Sequence, residues 1–170
     1  MNTNKLMKLV TASLMAAMTC VATFMLPIRV PGTTGGYIHP GDAFVLLSGI
    51  ILGPLYGSIA AGIGSMLADI VVAYPYFYIT LIIKAAAAFT GVLVYRRIKA
   101  APVILAAVFS GIVVTAGYFL FEVFVYGLPA AALSVPFNII QNVFSVVLSA
   151  VLLPLLRKIP QVRSMMDDRK

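Results

Sequence analysis

The sequence predicts an all-α integral membrane protein, a bundle of six transmembrane helices with both termini cytoplasmic. Three observations predict it. Of 170 residues, 62% are hydrophobic and 10% are charged, whereas a soluble domain carries roughly 25% charged residues. The apolar residues fall into runs suited to crossing hydrocarbon, which takes about 20 residues per helix. Ten of the twelve Lys and Arg residues, all but Arg29 and Lys84, lie in three regions that six spans place on one side. Basic residues favour the cytoplasmic side of a membrane.

The elements follow in order as one domain over residues 1–170. The first helix covers about 8–26, an apolar run that continues to Leu26 with no clear small-x-small cleavage site before Pro27. Pro27, Pro31, Gly32, Gly35 and Gly36 then break the chain. A short second helix, about 42–53, is separated from a third, about 55–72, by Gly53-Pro54. A tyrosine-rich loop leads to a fourth helix, about 79–96, which ends at Arg96, Arg97 and Lys99. Pro102 suits the first turn of a fifth, about 102–126. Gly127 to Ser134 reads as a turn before a sixth, about 135–157.

The net charge of +7 follows from these basic clusters, so it calls for a bilayer and not for nucleic acid. Tryptophan is absent, which leaves Tyr and Phe as interfacial anchors. Cys20 is the sole cysteine and sits in an apolar run, so it forms no intrachain disulfide.

Small residues recur every four positions in the third helix (Gly53, Gly57, Ala61, Ser65) and as A-x-x-x-A at Ala12 and Ala16. Such rows let helices approach closely in lipid. For the first helix, internal packing and a partner surface both remain open.

Ionisable residues within apolar helices are costly and mark function by default. On the six-span topology, Asp42, Asp69, Lys84, Glu122, Asn138, Gln141 and Asn142 all fall in the outer third. That pattern suits a pocket open to the exterior and closed below. Tyr118 and Glu122 lie on one face of the fifth helix with Thr115, and the amides share a face of the sixth. Amides donate and accept hydrogen bonds, which suits a heterocycle with mixed ring and hydroxyl groups. His39, in a Pro-Gly loop, joins the candidate substrate-binding residues His39, Asp42, Lys84, Tyr118, Glu122, Asn138, Gln141 and Asn142. Asp69 and Lys84 are also placed to form a structural ion pair across the third and fourth helices.

No G-x-x-x-x-G-K-[ST] loop is present, so the chain itself lacks the standard ATP-hydrolysing motif. The G-I-G-S at Gly62 to Ser65 has no nearby histidine to activate its serine. No His or Cys cluster has metal-ligand spacing. The chain therefore reads as neither an enzyme nor a metal or cofactor protein.

The stretch Y-I-H-P-G-D-A-F-V-L-L-S-G-I-I-L-G-P-L-Y-G-S-I-A-A-G-I-G-S-M-L-A-D-I, followed by Y-P-Y-F-Y-I-T-L-I-I-K, resembles the substrate-binding (S) components of energy-coupling-factor (ECF) vitamin transporters. It is closest in pattern to the riboflavin-related group that includes hydroxymethylpyrimidine and pyridoxine members. The resemblance implies a micronutrient-binding subunit of an ATP-driven importer in a prokaryotic plasma membrane. It further implies a membrane T component, packing on Ala12 and Ala16, and two cytoplasmic ATPases that consume the ATP. A small, mostly uncharged vitamin or precursor is expected, with pyridoxine or hydroxymethylpyrimidine favoured. A self-sufficient secondary transporter is the competing reading, but the internal repeats and midplane polar groups common in such proteins are not evident.

Overall fold

The apolar runs form helices in the computed structural model, which describes residues 3–29, 37–100 and 102–167. The order is α1 (Thr3–Phe24), β1 (Ile28–Arg29), β2 (Tyr37–Ile38), α2 (Gly41–Val71), α3 (Phe77–Arg97), α4 (Pro102–Tyr126), α5 (Leu128–Leu156) and α6 (Pro160–Asp167). The first five helices are long and apolar enough to cross a membrane.

The expected second and third helices together make α2, and Gly53 divides it. Its φ of 81° and ψ of 177° are non-helical, a conformation open to glycine because it has no Cβ. Pro54 then opens the second half, where its missing N–H costs nothing. In a straight helix, residues 49 and 57 would stand about 12 Å apart along the axis. Instead, a Cβ on Gly57 would strike the Ser48 carbonyl and the Gly49 Cα. The two halves therefore fold back on each other as a hairpin. They rise only about 18 and 27 Å at helical pitch, and the first is short for a hydrocarbon core of about 30 Å.

This hairpin is the centre of the molecule. Val45, Leu46, Leu47, Ile51 and Leu52 are almost fully buried, while α1, α3 and α5 pack around α2, and α4 fills between α3 and α5. Apolar side chains exposed on the outer helices, such as Val10, Leu14, Ile82, Leu120 and Phe124, provide the lipid-facing surface. Where α1 crosses α2, a Cβ on Gly64 would collide with the Ala16 carbonyl. Ala12 and Ala16 are half-buried against the core cluster that includes Met15 and Leu46. Their four-residue spacing serves the α1–α2 contact.

Two helix starts and one added helix differ from the sequence expectation by more than two residues. Helix α1 starts at Thr3 and includes Lys5 and Lys8. Helix α5 starts at Leu128, because Gly127 alone (φ 85°) makes the turn and Pro129 is tolerated in a first turn. Helix α6, unforeseen, buries Met165 against the cluster of Met15 and Leu153. At that same end, Arg157 donates to the Tyr95 hydroxyl at 2.8 Å. The basic ends of α3 and α5 therefore meet at one end of the bundle, and the cavity described next lies at the other.

Candidate functional site

Two short strands carry the chain from α1 onto the mouth of the bundle. β1 pairs antiparallel with β2, Ile28 opposite Ile38 and Arg29 opposite Tyr37. This lays Tyr37, Ile38 and His39 over a cavity walled by the ends of α2 to α5. Helix α2 ends beside it in a Schellman motif: the Ala73 N–H donates to the Ile70 carbonyl at 3.2 Å, and the Tyr74 N–H to the Asp69 carbonyl at 2.8 Å. Ala73 takes the left-handed position (φ 58°) that glycine usually fills. The turn brings Tyr74 to the cavity.

A buried polar network ties these elements together. Asp42, in the first turn of α2, accepts from Lys84 Nζ of α3 at 2.5 Å. Its other oxygen accepts from Gln141 Nε2 of α5 at 2.7 Å. The Gln141 carbonyl oxygen in turn accepts the His39 backbone N–H at 3.0 Å. The helix N-terminus adds further stabilisation for the Asp42 carboxylate. The ion pair expected between Asp69 and Lys84 is thus corrected: Lys84 pairs with Asp42. Asp69 accepts instead from the Tyr37 hydroxyl at 2.5 Å, so it tethers the covering strand. The sequence could not reveal this, because the hairpin at Gly53 brings both acids to one end of the bundle.

His39 is buried, and its Nδ1 accepts the Gly41 N–H at 3.1 Å. The ring is therefore neutral with its proton on Nε2. Burial pushes its pKa down to about 4, with Lys84 lowering and Asp42 raising it. Burial and the Asp69 charge hold the Tyr37 hydroxyl well above its ordinary value, as a donor.

The cavity encloses about 50 Å³, room for a few waters at roughly 10–15 Å³ each. Of the sequence candidates, His39, Lys84, Tyr118, Glu122, Asn138 and Gln141 line it. Asp42 stands behind them and holds Lys84 and Gln141. Asn142 lies elsewhere: its amide donates to the Gly111 carbonyl at 2.8 Å and to Thr115 Oγ1 at 2.7 Å, joining α5 to α4. Sequence reasoning missed Thr23, Ser65, Thr80, Ser134, Phe137 and the loop residues Tyr37 and Tyr74. Hydroxyls are common in apolar helices and carry no positional signal, although tyrosines in the flanking loops were a usable one.

Four buried polar atoms at the cavity make no hydrogen bond among the described residues: Thr23 Oγ1, Ser65 Oγ, Asp69 Oδ2 and Ser134 Oγ. Buried polar groups are otherwise nearly always satisfied. Their convergence on one cavity is the geometry of a site that bonds a polar guest.

The family model for the ECF-type riboflavin transporter, S component, matches residues 3–158. The chain belongs to that family. Its members are substrate-binding subunits of membrane transporters, not enzymes. A protein of Pyrococcus woesei, described as uncharacterized and encoded in the gap 3′ region, is 34% identical over 144 residues, covering 81% of this chain and 93% of its own. The S component of a bacterial ECF transporter has a similar fold, with a TM-score of 0.70 at 22% identity, covering 91% of this chain and 96% of that one.

Proposed function

We propose that the chain is the substrate-binding subunit of an ATP-driven importer for a small water-soluble vitamin or precursor, with pyridoxine and hydroxymethylpyrimidine the favoured candidates. The observation that carries this is the group of orphaned polar atoms lining one aromatic-walled cavity. The basic end of the bundle faces the cytoplasm of a prokaryotic cell, the α2 hairpin makes the second and third of six spans, and the cavity faces outward. Energy comes from a membrane T component and two ATPases, because this sequence carries no phosphate-binding loop.

Reconstitution in liposomes tests the reading. The chain alone should bind its ligand, and ligand should accumulate only when the T component, both ATPases and ATP are present. Concentrative uptake by the chain alone would contradict it.

A further inference from the structure

The end of the bundle opposite the cavity is strongly basic. The chain has five acidic residues, and three of them, Asp42, Asp69 and Glu122, belong to the cavity end. Arg96, Arg97, Lys99, Arg157, Lys158 and Arg163 are exposed at the other end, where Asp167 is the one acid among the described residues. The three residues after it, Asp168, Arg169 and Lys170, add one further net positive charge. Two of the guanidiniums share a cleft between the end of α5 and α6, which Arg157, Arg163, Met166 and Asp167 line. Arg157 is held in place by the Tyr95 hydroxyl, which accepts from its Nη2 at 2.8 Å. Arg163 Nε lies 3.7 Å from Asp167 Oδ2, with both side chains more than half exposed, and so loose a surface pair contributes little.

An apolar ridge leads to this cleft. Val143, Val147, Val151 and Leu155 are exposed at every fourth position from the middle of α5 to its end, one continuous row on a helix surface. Ile159, in the turn to α6, is exposed as well. Helix α5 ends at Leu156, so Arg157 stands where hydrocarbon gives way to head groups. Helix α6 packs Val162, Met165 and Met166 on the core cluster and leaves Gln161, Arg163 and Ser164 exposed. Guanidiniums match a phosphate with paired hydrogen bonds, and an exposed apolar row suits an acyl chain. Both features lie on one stretch of chain, residues 143–163.

We infer that the α5–α6 cleft binds an anionic phospholipid, with its phosphate on Arg157 and Arg163 and an acyl chain along the α5 ridge. Basic pockets beside membrane helices hold acidic head groups in this way. A choline lipid brings its own cation into the basic surroundings and is disfavoured. A phosphate without acyl chains forfeits the contact with the ridge. The bound phosphate bridges α5 to α6.

The test uses the purified full chain, delipidated in detergent, with binding read by native mass spectrometry. The probes are dioleoylphosphatidylglycerol, dioleoylphosphatidylcholine and sn-glycerol 3-phosphate. Phosphatidylglycerol should bind at least about tenfold more tightly than either of the others. The Arg157→Gln, Arg163→Gln double variant should lose most of that preference. Lys5→Gln with Lys99→Gln removes the same charge from exposed positions outside the cleft and should keep it. Equal loss in the two double variants would show diffuse attraction and overturn the inference, as would equal binding of the two lipids. Glycerol 3-phosphate binding as tightly as phosphatidylglycerol would replace the lipid by a free anion and overturn it too. Arg163 is 76% exposed, so Arg163→Gln alone decides if the double variant fails to fold. A severalfold loss of preference in that variant supports the lipid site, and an unchanged preference overturns it.

Discussion

Lys84 Nζ of α3 and Asp42 Oδ1 of α2 stand 2.5 Å apart at the cavity, both within 5% exposure. This pair joins the first half of the central hairpin to its neighbour, and Gln141 extends the link to α5. Removing one member leaves the other charge buried, which costs about 3–5 kcal/mol. Lys84→Met should therefore lower the unfolding midpoint in detergent sharply. The double variant Lys84→Met with Asp42→Asn should recover much of that loss, since no uncompensated charge remains. A double variant no more stable than the single would show that the pair is not what holds α2 to α3.

Asn142 and Asn138 should separate structure from binding. Asn142 bonds α4 through Gly111 and Thr115, so Asn142→Ala should destabilise the fold by about 1–3 kcal/mol with little change in ligand affinity. Asn138 lines the cavity, and Asn138→Ala should weaken binding by about 1–3 kcal/mol. Thermal unfolding and calorimetric titration of both variants check this, and the reverse pattern would place the ligand on the other face of α5.

The fold was legible in the sequence where its physics is coarse. Apolar run lengths and basic clusters marked the helices, and Gly53-Pro54 marked the hairpin. The candidate site was legible where charged or amide side chains sit in apolar sequence: Lys84, Glu122 and Gln141 all reach it. Pairing was not legible, because whether Asp42 or Asp69 meets Lys84 depends on how α2 folds back against α3. Nor could composition show that Asn142, one residue beyond Gln141, turns away: adjacent positions on a helix point about 100° apart.

Acid should loosen the segment over the cavity. His39 is neutral in the fold with its pKa near 4, below the 6.5 of a free imidazole. As pH falls through about 6.5 the unfolded chain binds a proton that the folded chain refuses, so stability declines until about pH 4, by at most about 3 kcal/mol. Above pH 7 this contribution is complete and flat. Unfolding midpoints from pH 7.5 to 4.5 should slope downward in the native chain, and less so in His39→Asn. Identical slopes would remove His39 as the source.

Ala73 completes the Schellman turn at a positive φ of 58°, a position that costs a residue with a Cβ about 1–2 kcal/mol. Ala73→Gly removes that strain and adds somewhat less in unfolded-chain entropy. It should raise stability by roughly 0.5 kcal/mol, read as a higher unfolding midpoint. A clear drop would mean that the Ala73 methyl makes a stabilising contact.

The central claim is that the orphaned polar atoms under Tyr37 and His39 are there to bond a small molecule. Native mass spectrometry of the purified chain, beside the Ser65→Ala, Asp69→Asn double variant, tests it most directly. The account predicts one small molecule per native chain, reduced or absent in the equally folded variant. Equal occupancy in both proteins, or none in the native chain after addition of pyridoxine or hydroxymethylpyrimidine, would contradict it.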